Sequence, residues 1–143
     1  MYAFRLASIN EVDSILKNES FDEIGSFNKN NNKNNHKYDL NKKYMHFFDN
    51  FNSLLYLNLN TDNYICIYNI PDEVIKKYKG YGYYYDLINF KELERIPEYA
   101  VPSSELRFEY LKIVYKINRY LDYEDIINDN YKDDLEKVYS LKK

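Results

Sequence analysis

At 143 residues and 17.4 kDa the chain has room for one domain with its own core and falls short of the usual size for two. Hydrophobic residues at 45% and charged residues at 30% exclude wholesale disorder, a collagen-like repeat and a coiled coil. The net charge of −3 excludes a molecule that attracts nucleic acid through its overall charge.

The charge is uneven: five lysines and one aspartate lie between Lys29 and Lys43, against seven acids and one lysine between Asp122 and Glu136. A local basic arm therefore has the means to touch phosphate. Cys66 is the one cysteine, so no internal disulfide forms, and a reducing, cytoplasmic setting is expected. Arg5 and Glu11 interrupt what would be the apolar region of a signal peptide. No uncharged stretch reaches the roughly 20 residues of a bilayer-spanning helix, so no membrane is expected among the partners. The 18 tyrosines and 19 asparagines, with no tryptophan, match codon usage in an AT-rich genome, and many tyrosines are expected to pack where Leu or Phe would elsewhere.

In chain order, residues 2–7 alternate as a strand. Ser8-Ile9-Asn10-Glu11 forms a capping box ahead of a helix carrying Ile9, Val12, Ile15 and Leu16. Residues 28–35 hold no apolar side chain and read as a mobile loop. Lys43 to Phe48 reads as a strand, with Asp49-Asn50 capping a short helix that carries Phe51, Leu54 and Leu55. Tyr64 to Ile70 is dense in β-branched and aromatic residues and predicts another strand. Pro71 opens a helical turn with Val74, Ile75 and Tyr78, stopped at Gly80. Gly80-Tyr81-Gly82 predicts a turn, Asp86 to Leu93 one or two helical turns, and Glu98 to Val101 a short strand bracketed by Pro97 and Pro102. Within Phe108 to Ile117 a strand places Leu111, Ile113, Tyr115 and Ile117 on one face. Residues 121–141 predict an acidic amphipathic helix with Ile127, Tyr131, Leu135 and Val138 inward. The sum is one α+β domain over 1–143, with a mainly antiparallel or mixed sheet and short helices between its strands.

Metal and phosphate motifs are missing from the sequence. His36, His46 and Cys66 have no zinc spacing, and the acids near Asp122 lack the glycine and terminal glutamate of a calcium loop. Neither a phosphate loop nor a dinucleotide fingerprint occurs.

Three segments in this order resemble the ADP-ribosyltransferase superfamily. Tyr2 to Ser8 running into Ile9 to Asn18 is similar to the family's opening strand, which ends in Arg or His, and its helix. Tyr44-Met45-His46-Phe47-Phe48 is similar to the second motif, and Pro97 to Ser103 to the glutamate-bearing strand. The resemblance covers residues 2–117 and implies NAD as substrate, with no metal. The bond from ribose to nicotinamide then breaks through an oxocarbenium-like state. The resemblance gives Glu98 the carboxylate that stabilises this cation and holds a ribose hydroxyl. It gives Arg5 the grip on a phosphate or ribose, His46 the orientation of the nicotinamide ribose, and Tyr83 or Tyr84 the stacking on nicotinamide. Arginine-modifying members carry an acid two residues before the glutamate. Ile96 stands there, which implies another acceptor.

Plainer roles stay open: Arg5 as half of an ion pair, His46 at the core edge, Glu98 as a charge on an edge strand. The reading is thus a small bacterial or phage effector, a toxin or an anti-defence protein, transferring ADP-ribose to a macromolecular target, protein or nucleic acid. The alternative is a non-catalytic inhibitor that blocks a partner through an acidic, tyrosine-rich surface. RNA 2′-phosphotransferases share the implied fold but use a more basic constellation than Arg5 and His46.

Overall fold

The computed structural model describes residues 1–27, 39–85 and 93–141. The Asn-rich segment 28–35 and most of the helical turns expected after Tyr85 lie outside the described residues. Eight strands form one antiparallel sheet: β1 (Tyr2–Ser8), β2 (Ser26–Phe27), β3 (Lys43–Phe48), β4 (Asn63–Asn69), β5 (Lys79–Tyr85), β6 (Leu93–Pro102), β7 (Leu111–Ile117) and β8 (Leu135–Ser140). Their order across the sheet is β5-β6-β3-β1-β4-β7-β8, and β2 pairs with the start of β3. The α+β class and the antiparallel sheet agree with the sequence pattern.

Helix α1 (Ile9–Asn18) starts as its sequence dictates. The Ser8 hydroxyl accepts the Glu11 backbone N–H at 3.2 Å, and Glu19 ends the helix in the left-handed region at φ 48°. The second half of the capping box is absent, because the Glu11 carboxylate is taken by Arg5 instead. Asn50 caps the 3-10 segment Phe51–Tyr56 by accepting the Asn52 N–H at 2.9 Å.

Strand alternation divides the side chains between two cores, one on each face of the sheet. The first gathers Ala3, Ala7, Met45, Phe47, Cys66, Tyr68, Tyr99 and Val101 beneath Val12 and Ile15 of α1. The second gathers Phe48, Leu54, Leu59, Ile65, Ile117, Leu121 and Ile126, with Phe4, Tyr84 and Ile96 packed against it.

Several expectations are corrected. Gly80-Tyr81-Gly82 is no turn but lies inside β5, because helix α2 (Asp72–Ile75) passes through the 3-10 turn Lys76–Tyr78 directly into the strand. The strand expected at Glu98–Val101 begins at Leu93 and runs through Pro97. Beyond the last β3 pair, Phe48↔Glu98, β6 has only β5 beside it, and an edge segment of that kind tolerates proline. Leu111 does not share a face with Ile113, Tyr115 and Ile117. Pairing of β4 with β7 shifts between Ile67 and Tyr68, which moves Leu111 to the first core.

The acidic C-terminal helix is also overturned. Residues 121–141 form α3 (Tyr123–Ile127), the 3-10 turn Lys132–Asp134 and β8. Asp122 and Asp125 cap α3 reciprocally, and the chain leaves it through Asp129 at φ 58°, which stops the helix after little more than one turn. Ile126 is the buried residue, while Ile127 and Val138 are exposed. Arg119 clamps Asp125 and Asp134 at 3.1 and 2.9 Å, so two of the acids are paired.

The sheet has a seam. β1 pairs with β4 over seven residues and β3 with β6 over five, yet β1 and β3 share the single pair Phe4↔Phe48. Arg5 spans this seam. Its Nη1 donates to the His46 carbonyl at 3.2 Å, while Nε and Nη2 donate to Glu11 at 2.8 and 2.5 Å. The Phe47 ring crosses the same seam to meet Tyr68 edge-on at 4.9 Å.

The Arg5 and Glu11 side chains are only 14% and 13% exposed, which makes this a buried pair rather than a surface one. Removing one partner strands a charge, at a cost of about 3–5 kcal/mol. Glu11→Ala should therefore lower the unfolding free energy in urea by about 3 kcal/mol. A loss below about 1 kcal/mol, the scale of an exposed pair, would contradict this role.

Candidate functional site

On β6, Glu94, Ile96 and Glu98 point to the second core, and Arg95, Pro97 and Tyr99 to the opposite face. Pairing carries the parity across the sheet: Glu98 lies opposite Phe48 on β3 and Gly80 on β5. His46, two residues from Phe48, shares that face.

Glu98 is the centre of this cluster. Its Oε1 accepts the Tyr84 hydroxyl at 2.9 Å. The Tyr84 ring stacks on Tyr56 at 5.4 Å and meets Phe48 edge-on at 5.8 Å. The Tyr56 hydroxyl donates in turn to Glu94. Gly82 makes the close approach feasible, since a Cβ there would sit 2.6 Å from both Glu98 Oε2 and the Tyr84 ring. Burial, then the charge of Glu98, then the hydrogen bond hold the Tyr84 phenol above its ordinary range, so Tyr84 remains a donor. Burial pulls the His46 imidazole below its ordinary value. Glu98 opposes that shift and the Arg5 charge adds to it.

The structure thus brings together His46, Glu98 and Tyr84, and leaves out Arg5 and Tyr83. Arg5 pairs with Cys66 on the first-core face, and its three hydrogen bonds go to Glu11 and to backbone. Burial works against its charge, and Glu11 more than compensates, so the guanidinium stays protonated. Tyr83 lies on the outer face and is 55% exposed. Sequence reasoning missed Tyr56, Glu94 and Gly82. The spacing of Glu94 and Glu98, four residues apart in a strand, carried the signal that both face one way, but only once the strand is extended back to Leu93.

On the same face, the segment Phe51–Tyr56 separates the cluster from a cavity of about 410 Å³ lined by Phe51, Ile67, Tyr115, Tyr131, Lys132 and Leu135. Phe51 stacks on Tyr131 at 5.1 Å along its wall. Cys66 is no candidate nucleophile, because burial and then Glu11 push its thiol up to about 12. Among the described residues no three His, Cys, Asp or Glu side chains are placed to hold a metal ion. Nor is any helix among them long and apolar enough to cross a membrane.

No protein-family model matches the sequence, and neither a curated protein nor a solved structure matches the chain.

His46 should titrate below the ordinary histidine value of about 6.5, read from its imidazole proton resonances. The sign for stability follows: the unfolded chain binds a proton near 6.5 and folded His46 does not. Stability contributed by neutral His46 is therefore full above that pH and falls as the pH drops below it. His46→Gln should flatten this acid-side slope, and an unchanged slope would contradict the assignment.

Proposed function

We propose that the chain is a small NAD-using transferase with an ADP-ribosyltransferase-like fold, and that Glu98 is its central carboxylate. One observation carries this reading. His46 and Glu98, 52 residues apart in the sequence and singled out by separate motifs, share one face of two adjacent strands, with Tyr84 bonded to Glu98. The order of the three motifs along the chain supports it as well.

In this reading the bond between C1′ of the ribose and the nicotinamide nitrogen breaks, and the electron pair leaves with neutral nicotinamide. The cation left on the ribose is stabilised by the Glu98 carboxylate, an electrostatic effect that a half-buried site strengthens. A nucleophile on a macromolecular acceptor then bonds to C1′ and releases its proton. Tyr84 fixes one carboxylate oxygen, which leaves Oε2 for a ribose hydroxyl. Neutral His46 supplies a donor or an acceptor beside it. Tyr56 and Tyr84 provide the aromatic surface suited to nicotinamide. Arg5 takes no part in binding. It holds the β3 backbone at His46 from the opposite face. Ile96, on the same face as Glu98, offers no second acid to activate an arginine acceptor.

Glu98→Gln should reduce nicotinamide release from NAD by at least about 100-fold while the protein stays folded, as judged by its circular dichroism melt. Wild-type turnover in that variant would remove Glu98 from the chemistry.

A further inference from the structure

We propose that the cavity beneath the α3–β8 connection binds a small aromatic carboxylic acid. The cavity exists because α3 stops after little more than one turn. The chain leaves through the left-handed Asp129 and returns as β8, which leaves the second core open at this end of the sheet. Ile67, Tyr115 and Leu135 form the floor, from three neighbouring strands, and Phe51, Tyr131 and Lys132 line the sides. The five apolar residues among these are only partly buried, so the walls keep apolar surface for a ligand to cover. A volume of about 410 Å³ lies in the range of small-molecule sites.

The shape of the walls selects the body of the ligand. Phe51 and Tyr131 lie 5.1 Å apart with their planes at 22°, which makes one extended aromatic wall, and Tyr115 adds a third ring. Flat rings gain from stacking on or meeting such walls edge-on beyond the area they bury.

The charges select its head. The lining holds one charged residue, Lys132, and no acid. Alternation along β8 places Lys137 directly opposite Tyr115 and on its face, while Glu136 takes the other. Among the described residues neither lysine has a carboxylate partner. The nearby acids are engaged elsewhere: Arg119 holds Asp125 and Asp134, and Asp129 accepts the Tyr131 hydroxyl. An aromatic acid covers the apolar walls and brings the missing negative charge, whereas a neutral ring leaves both cations unmatched and an amine is repelled. The segment Phe51–Tyr56 separates this cavity from Glu98, and the proposal requires no turnover of NAD.

The test is calorimetric titration of the whole chain with 2-naphthoate, against 2-naphthamide and decalin-2-carboxylate. Naphthoate should bind with a Kd of about 1 mM or tighter. The amide lacks the charge and should bind about fivefold more weakly. The saturated acid lacks the π face and should bind about threefold more weakly. Methyl resonances of Ile67 and Leu135 should shift with naphthoate, and those of Ile15 and Ile75 in the first core should stay still. Lys132→Met with Lys137→Met should bring naphthoate down to the level of the amide without changing the thermal melt, since both side chains are exposed. Four results would overturn the proposal: no binding at about 10 mM naphthoate, equal binding of either control, a preference for the acid that survives in the double variant, or shifts centred away from the cavity. Self-association that covers Ile67 and Leu135, without naphthoate binding, would give the cavity to a second copy and overturn it equally.

Discussion

A cation buried at an incomplete strand junction has to be neutralised, and the sheet is arranged around the way Glu11 does this for Arg5. β1 and β3 pair through one residue pair, Phe4↔Phe48, and the His46 carbonyl beside it accepts from Arg5. The Arg5 guanidinium places one N–H there and gives two others to Glu11. Glu11 is available because α1 begins at Ile9, capped by Ser8 at the end of the strand that carries Arg5. A local cap thus becomes the tie between the halves of the sheet. The same contact fixes the β3 backbone at the residue whose side chain stands beside Glu98 on the opposite face.

Strand parity governs the rest. On β6, residues 94, 96 and 98 join the second core, while 95, 97 and 99 join the other face. A shift by one residue would exchange Glu98 with Tyr99 and break both the Tyr84 bond and the pairing of Tyr99 with Asp49. Gly82 reinforces the register, since only a residue without Cβ admits Glu98 and Tyr84 above it. The hairpin therefore has two distinct faces from a single alternation. One is aromatic with carboxylates, and the other is aromatic with cations.

Much of this was legible in the sequence, because it rests on local chemistry. The Ser8 cap, the helical spacing of Val12 and Ile15, the Asn50 cap and the β-branched run in β4 are all set within a few residues. Arg5, His46 and Glu98 could be singled out, but not which of them face each other, since that depends on long-range register. The C-terminal segment misled for a related reason. Ile127, Tyr131, Leu135 and Val138 fit a helical period, while the left-handed Asp129 and the pairing of β8 with β7 decided otherwise. The contact of Tyr56 with Glu94 gave no local signal, as it joins residues 38 apart.

The central claim is that Glu98, His46 and Tyr84 form the working face and that Arg5 acts from behind it. The most direct measurement is a backbone amide NMR titration of the whole chain with NAD. The account predicts the largest shifts at Gly82, Tyr84, Ile96, Glu98 and His46, with Ala7, Glu11 and Cys66 nearly still. Shifts centred on Arg5, Glu11 and Cys66, or no shifts at saturating NAD, would contradict it.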